Sequence, residues 1–195
     1  MEAFFNLLAE GFDLPILLWI REHLFCAFGD AFFPFITLFG EAGIFWIVLS
    51  AVLIIIPKTR RAGFGMGLAL IFGLIVCNIT IKPLAARIRP YVYLLEHHGI
   101  ETKLLVKELS DFSFPSGHTI ASFEASVVLL RHHKKLGIPA VILAVLIAVS
   151  RLYLQVHYPT DVLVALVLGI AFAFLADYIV GKLYTLYYNK KAQKA

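Results

Sequence analysis

Residues 62–81 read AGFGMGLALIFGLIVCNITI, a stretch of 20 uncharged residues that ends at Lys82. An α-helix of about 20 apolar residues is long enough to cross the hydrocarbon core of a bilayer. A second uncharged stretch, AGIFWIVLSAVLIIIP at residues 42–57, precedes it, and a basic group at residues 58–61 separates the two. The sequence therefore predicts two neighbouring membrane helices joined by a short basic loop.

Further apolar stretches follow at residues 117–130, 138–149 and 162–180. The N-terminal region is less regular, because polar residues at 21–23 and Asp30 interrupt its apolar runs. A charged group at the bilayer centre costs about 2.5–3.5 kcal/mol, so we expect residues 1–40 to form an interfacial helix plus a first span that is partial or bent. The predicted fold is an all-α integral membrane bundle of six helices, forming a single domain over residues 1–195.

The composition supports a membrane protein and excludes several other classes. Of the 195 residues, 61% are hydrophobic and only 15% are charged. Soluble domains carry about 25% charged residues, so an ordinary soluble domain, a disordered chain and a nucleic-acid-binding tail are all excluded. We expect the lipid bilayer as a partner and no nucleic acid. The two cysteines, Cys26 and Cys77, lie in apolar stretches and are expected to be free thiols.

Basic residues predict how the bundle is oriented. They are concentrated in two short loops, at residues 58–61 and 131–135, and in a tail with Lys190, Lys191 and Lys194. Cytoplasmic loops carry an excess of Lys and Arg. If the spans alternate, residues 82–116 then form an external loop, in a multi-pass protein of the cell's inner membrane.

A first polar cluster runs from Lys82 to Pro90. Lys82 and Arg89 are seven residues apart, which is about two helical turns, so in a continuous helix they would share a face. Two cations held together at a membrane surface attract an anion between them. The alternative is that both side chains extend toward lipid headgroups.

A second cluster, Phe114-Pro-Ser-Gly-His118, opens the span at residues 117–130. Ser116 is a favoured N-cap residue, and Gly117 lets a ligand approach the backbone closely. The free N–H groups and the dipole at such a helix end favour phosphate binding. An ordinary helix cap with a histidine beside it is the alternative interpretation.

A third cluster spans Ser150 to Asp161. Pro159 suits the first position of a helix, which puts Asp161 in the first turn and one turn after His157. A carboxylate there accepts a hydrogen bond from one imidazole nitrogen and leaves the other free as a nucleophile. The structural alternative is an ion pair between Arg151 and Asp161 that closes the turn.

Together, the three clusters resemble the signature of the type 2 phosphatidic acid phosphatase superfamily, KxxxxxxRP, PSGH and SRxxxxxHxxxD. Every fixed position of the three motifs is present, in order and with the same internal spacing, between Lys82 and Asp161. The resemblance implies a six-helix membrane phosphatase, in which His157 attacks phosphorus and forms a phosphohistidine. It implies that His118 protonates the leaving oxygen and that Asp161 orients the nucleophile. The implied phosphate-binding residues are Lys82, Arg89, Ser116, Gly117 and Arg151.

The resemblance also implies a substrate class, a lipid phosphate or pyrophosphate. Undecaprenyl pyrophosphate at the outer face is the first expectation, with phosphatidic acid or phosphatidylglycerol phosphate as alternatives. A non-catalytic lipid-binding or transport protein is the alternative from a different class. The sequence shows no carboxylate cluster or histidine pair with metal-ligand spacing in the site, so we expect hydrolysis without a metal or other cofactor.

Glu124 falls outside the three motifs, inside the span that begins at residue 117. An intramembrane carboxylate marks a candidate functional site. Glu124 could lie near the entry of the lipid chain or pair with a cation, or it could be protonated or bonded to a polar group such as Asn78. Glu41 is expected to be a charge at the rim of the site, and His132 and His133 to belong to a cytoplasmic basic loop.

Overall fold

The computed structural model describes residues 1–193, and every regular element among them is helical, as the sequence predicts. Lys194 of the predicted basic tail lies outside the described residues. Five helical stretches in this part of the chain are long and apolar enough to cross a membrane. Large apolar side chains such as Ile47, Val52, Ile75 and Val167 are exposed on their surfaces, where lipid would cover them.

The bundle has two chemically different ends. At one end, which we call the basic end, Asp177 binds Arg131 at 2.7 Å and His132 at 2.7 Å, and lies 3.7 Å from Arg61. These contacts place both basic loops at the same end, as their predicted orientation requires. The opposite end, which we call the loop end, carries residues 86–116 and 154–158.

The N-terminal segment consists of α1 (Glu2–Leu8), a π-helical turn (Ala9–Asp13) and α2 (Leu14–His23). Its buried residues Ala9, Leu14 and Leu17 form one apolar cluster with Tyr93, Leu94 and Tyr158. The Gln155 side chain also donates a hydrogen bond to the carbonyl oxygen of Leu17. All these partners belong to the loop end, so the N-terminal segment packs against that end of the bundle.

The next segment is broken in its middle. It contains α3 (Ala27–Thr37), a 3-10 turn (Leu38–Gly43) and α4 (Ile44–Ile55). Ala42 and Gly43 have positive φ angles of 47° and 67°, which no helix accommodates. Asp30, whose charge is unfavourable in an apolar run, accepts a hydrogen bond of 2.7 Å from the Tyr153 hydroxyl.

The uncharged residues 62–81 lie within one long helical segment. It comprises α5 (Arg60–Phe72), a π-helical stretch (Gly73–Ile81) and the short α6 (Lys82–Ala85). Gly63 lets α5 approach α4 closely, because a Cβ atom there would lie 2.6 Å from the backbone nitrogen of Ile54. The close packing of α4 and α5 shapes one wall of the cavity described below.

The remaining helices complete the bundle. They are α7 (Pro90–His98), α8 (Gly117–His132), α9 (Lys134–Tyr153) and α10 (Pro159–Ala192). Helix α8 contacts α4, α5, α9 and α10 and is therefore central. Its 16 residues give a length of about 24 Å. Both α8 and α10 begin at the loop end, so that their N-termini meet there.

Candidate active site

Lys82 and Arg89 come together in the structure, but a continuous helix does not bring them there. The helix ends at Ala85, and Ala86 takes a left-handed conformation with φ of 47°. Arg89 is extended and precedes the first residue of α7. The expectation that the two cations share one helix face is therefore wrong. The turn at Ala86 redirects the chain, and both side chains reach the same carboxylate.

That carboxylate belongs to Asp111, which the sequence did not single out. Lys82 Nζ lies 2.5 Å from its Oδ2 atom, and Arg89 Nη2 lies 2.6 Å from its Oδ1 atom. Burial alone would raise the pKa of Asp111, but the hydrogen bond from Lys82 and the charges of Lys82 and Arg89 outweigh burial and lower the pKa to about 2. The Asp111 carboxylate is thus itself an anion that lies between Lys82 and Arg89.

The second motif forms the start of α8 as predicted. Ser116 is the N-cap, and its Oγ atom accepts a hydrogen bond of 3.4 Å from the Thr119 N–H and one of 3.0 Å from the Thr119 hydroxyl. Ser116 is fully buried and engaged in this cap, whereas Gly117 and His118 line a cavity. The His118 side chain packs against Gly40, where a Cβ atom would lie 2.7 Å from Cδ2 of the imidazole.

Arg151 reaches the same region from the last turn of α9. Its Nη1 atom donates a hydrogen bond to the Thr37 hydroxyl, and the side chain is buried. Its Nε atom has no hydrogen-bond partner among the described residues. A buried guanidinium with an unused donor is suited to an anionic ligand. The predicted alternative, an ion pair of Arg151 with Asp161, is not formed, because Asp161 binds a different arginine.

His157 lies in the connection between α9 and α10, and both of its ring nitrogens face a charged partner. Its Nδ1 atom is 3.4 Å from Oδ2 of Asp161, and its Nε2 atom is 3.4 Å from Nη1 of Arg89. Asp161 is held in turn by the Tyr158 N–H, which donates to its Oδ2 atom at 3.0 Å. Asp161 therefore fixes the ring from one side, and Nε2 points toward the cations.

The environment of His157 favours the neutral imidazole. Burial lowers its pKa well below the usual value, and the positive charges of Arg89, Arg151 and Lys82 lower it further. A neutral ring with Nδ1 directed at a carboxylate carries its proton on Nδ1 and leaves a lone pair on Nε2. This is the form of histidine that a nucleophile requires.

A second residue that the sequence did not single out, Arg87, lies behind His157. Its Nη1 atom donates to Oδ1 of Asp161 at 2.6 Å, and its Nη2 atom donates to Oδ2 of Asp13 at 2.6 Å. A local sequence pattern could not predict either contact, because each aspartate lies 74 positions from Arg87, one before it and one after it. The available hint for Asp13 was an acidic residue directly before the apolar run at residues 14–20.

The predicted residues converge on one cavity of about 820 Å³. Six of the eight residues that the motifs indicated line its polar wall: Lys82, Arg89, Gly117, His118, Arg151 and His157. The other two, Ser116 and Asp161, are buried behind that wall. The cavity then continues between α4, α5 and α8, where Ile47, Leu70 and Leu74 line it. One end of the cavity is therefore cationic, and the other end is apolar.

Glu124 lines the apolar part of this cavity and is 1% exposed. The carboxyl group lies against Gly73, where a Cβ atom would come within 2.4 Å of its Oε1 atom. Among residues 1–193, neither oxygen has a hydrogen-bond partner of good geometry, so neither a cation nor Asn78 pairs with Glu124 here. Glu41, in contrast, is an exposed rim residue with Oε2 3.4 Å from Nε2 of His118.

Among residues 1–193, no group of three or more His, Cys, Asp or Glu side chains is arranged to hold a metal ion. His132 and His133 lie at the basic end, away from the cavity, as predicted, and His132 binds Asp177. Positive charge in the cavity comes from Lys82, Arg89 and Arg151.

Comparison with known proteins gives a consistent family match. A sequence model of the PAP2 superfamily matches residues 62–184. An undecaprenyl-diphosphatase of Sulfolobus acidocaldarius is 32% identical over 143 residues, which cover 73% of this chain and 66% of that protein. The undecaprenyl-diphosphatase BcrC of Bacillus subtilis is 33% identical over 146 residues, which cover 75% of this chain and 72% of BcrC. The chain thus spans about two thirds of the length of the Sulfolobus protein.

The fold has a counterpart among solved structures. The crystal structure of Aquifex aeolicus LpxE superposes with a TM-score of 0.72 at 27% sequence identity, over 84% of this chain and 93% of that one. The superposed part is therefore most of both chains. Asp13, Thr37 and Glu41, which surround the site, precede the residues matched by the family model.

Proposed function

The chain belongs to the PAP2 superfamily, and we propose that it is a phosphatase that hydrolyses a lipid phosphate or pyrophosphate through a phosphohistidine on His157. The observation that carries this proposal is the placement of His157 Nε2 at 3.4 Å from Arg89, at the cationic end of a cavity whose other end is apolar. A lipid with an anionic head and an apolar tail is complementary to these two ends. The undecaprenyl-diphosphatases among its relatives support the same substrate class.

In the first step, Nε2 of neutral His157 attacks phosphorus, and the bond from phosphorus to the leaving oxygen breaks. Asp161 keeps the Nδ1 proton in place and stabilises the positive charge that the ring gains on phosphorylation. His118, which lines the cavity, donates a proton to the leaving oxygen. The lipid product leaves with that proton.

In the second step, the now neutral His118 accepts a proton from water, and the resulting hydroxide attacks phosphorus. The bond between phosphorus and Nε2 breaks, inorganic phosphate is released, and His157 regains its neutral form. Lys82, Arg89, Arg151 and the Gly117 N–H stabilise the equatorial oxygens in both steps, because phosphoryl transfer depends mainly on positioning and charge stabilisation. Substrate phosphate replaces the Asp111 carboxylate between Lys82 and Arg89.

Undecaprenyl pyrophosphate is the substrate we propose first. Its two phosphates match the cationic end, and its isoprenoid chain matches the apolar passage between α4, α5 and α8. Phosphatidic acid and phosphatidylglycerol phosphate are the second candidates, since they share an anionic head and an apolar body. A lipid-binding or transport protein without catalysis would bind these lipids and release no phosphate.

The proposed reaction is independent of metal ions, and this gives a first prediction. Purified protein should release phosphate from a panel of lipid phosphates at an unchanged rate in excess EDTA, because protein cations stabilise the oxyanion. Vanadate should inhibit, since it adopts the trigonal-bipyramidal geometry of the transition state. Strict dependence on added Mg²⁺ would contradict the proposed role of Lys82, Arg89 and Arg151, and binding of all lipids without release would favour the transport alternative.

The proposed orientation places the active site outside the cell's inner membrane, and labelling tests it. Single cysteines replace the exposed residues Glu101 at the loop end and Lys58 at the basic end, in a protein with Cys26→Ser and Cys77→Ala. In intact cells, an impermeant maleimide should label Glu101→Cys and leave Lys58→Cys unlabelled, because the basic end is cytoplasmic. Both should be labelled after lysis. The reverse pattern in intact cells would place the site in the cytoplasm.

A further inference from the structure

Arg87 joins the active site to the N-terminal segment. Its guanidinium lies between two carboxylates, with Asp161 at 2.6 Å on one side and Asp13 at 2.6 Å on the other. Arg87 is 4% exposed, and both aspartates are 0% exposed. The three charges are therefore shielded from water and interact strongly with one another.

Asp13 also holds the start of α10, the helix that carries Asp161. Its Oδ1 atom accepts a hydrogen bond of 2.9 Å from the Thr160 N–H, and its Oδ2 atom accepts one of 2.7 Å from the Thr160 hydroxyl. The Arg87 guanidinium stacks over the Tyr158 ring at 3.7 Å from its centre. Tyr158 and Thr160, which precede Asp161 in the chain, are thus held by the same pair.

The charges of the three residues have a consequence for the reaction. Phosphorylation gives the His157 ring a positive charge, which Asp161 must stabilise. Arg87 alone would cancel the charge of Asp161 and so weaken that stabilisation. Asp13 adds a second negative charge, so that the trio carries a net charge of about −1 toward the ring.

We propose that Arg87 and Asp13 are positioning residues of the active site, Arg87 orienting the Asp161 carboxylate and Asp13 restoring the negative charge that the phosphorylated His157 needs. The proposal rests on the proposed phosphohistidine reaction. It makes the N-terminal segment a functional part of this chain, although that segment lies outside residues 62–184 matched by the family model. A purely structural role, in which the pair fastens the segment to the bundle, is the competing explanation.

The test uses the full chain in detergent micelles with a prenyl pyrophosphate as substrate. We expect Asp13→Asn to lower kcat by about 10-fold, less than the 10²–10³-fold lost with an electrostatic group that contacts the developing charge directly, with KM within twofold of wild type. Asp13→Ser, also neutral and able to accept from the Thr160 N–H, is the second variant if Asp13→Asn fails to fold. Glu10→Gln is the matched control, because Glu10 in the same segment binds Tyr93 and His98 rather than the trio.

A double variant separates charge from structure. The double variant Asp13→Asn, Arg87→Gln removes one negative and one positive charge. The charge of Asp161 is then no longer cancelled by Arg87, so we expect a higher kcat than for Asp13→Asn alone. A purely structural pair predicts that the double variant is at least as impaired as Asp13→Asn alone. That result, or a wild-type kcat in both neutral Asp13 variants, would overturn the proposal. If wild type itself releases no phosphate, or if His157→Ala retains its activity, the proposed function fails instead.

Discussion

Replacing His157 with alanine should abolish phosphate release, with a loss of at least about 10³-fold in kcat, as expected when a nucleophile that acts with its partners is removed. Besides His157, the cationic end of the cavity is lined by Lys82, Arg89, Arg151, His118 and Asp111. The Asp111 carboxylate is bound by Lys82 and Arg89, so we expect none of these residues to replace the His157 imidazole. The measurement is inorganic phosphate released from a prenyl pyrophosphate by purified variant and wild type at saturating substrate.

The matched control is His133→Ala, which removes a histidine at the basic end, away from the cavity. This variant should retain wild-type turnover. Both variants should insert into the membrane and elute as wild type does in size-exclusion chromatography, since His157 fills space in a loop connection rather than in the helix packing. Residual activity of His157→Ala above a few per cent would indicate direct attack by water.

The second large effect is expected for Asp161→Asn. The amide keeps the size of the carboxylate but removes the charge opposite Nδ1 of His157. Its single oxygen also cannot accept from both Arg87 and the Tyr158 N–H. Orientation and polarisation are partial contributions, so we expect kcat to fall by about 10²–10³-fold, less than for His157→Ala. Steady-state kinetics should show this loss in kcat, with a much smaller change in KM.

Asp177→Asn on the same helix is the control for Asp161→Asn. Asp177 binds Arg131 and His132 at the basic end, so its loss should affect stability or insertion but leave the turnover of folded protein near wild type. A loss of turnover equal to that of Asp161→Asn would show that any charge removed from α10 has this effect. Wild-type kcat in Asp161→Asn would contradict the proposed role of the carboxylate.

The helices were predictable because their physical cause is local. A membrane helix needs about 20 apolar residues in sequence, and residues 62–81 meet that requirement on their own. The cap at Ser116 was predictable for the same reason, since the cap, the following Gly117 and Thr119 are neighbours in the chain. The convergence of Lys82, Gly117, Arg151 and His157 on one cavity followed from the family signature rather than from any local pattern.

The remaining features depend on contacts that no local pattern encodes. The seven-residue spacing predicted a shared helix face for Lys82 and Arg89. The helix instead ends before the left-handed turn at Ala86, so the two residues do not lie on one helix. The partners of Asp111, Arg87 and Asp13 come from distant parts of the chain, so their roles emerge only when the loop end is assembled. The break at Ala42 was equally hidden, because alanine rarely adopts a positive φ angle.

The break at Ala42 and Gly43 also has a consequence for the cavity. It ends the 3-10 turn where Gly40 packs against His118, and it lets α4 begin at Ile44 along the apolar passage. Ala42 and Gly43 line the cavity together with Glu41. The bend therefore connects the cationic end, near His118, to the region where a lipid chain would lie.

The proposed reaction depends on a phosphohistidine at His157, and this intermediate can be trapped. His118→Ala should slow hydrolysis of the intermediate more than its formation, because a prenyl phosphate leaves with little help from a proton donor. This variant, mixed with a pyrophosphate labelled with ³²P at the terminal phosphate and quenched in alkali, should carry acid-labile label that mass spectrometry locates on His157. The double variant with His157→Ala should carry none. Continued phosphate release by wild type and His118→Ala without any labelled histidine would rule out a phosphohistidine intermediate.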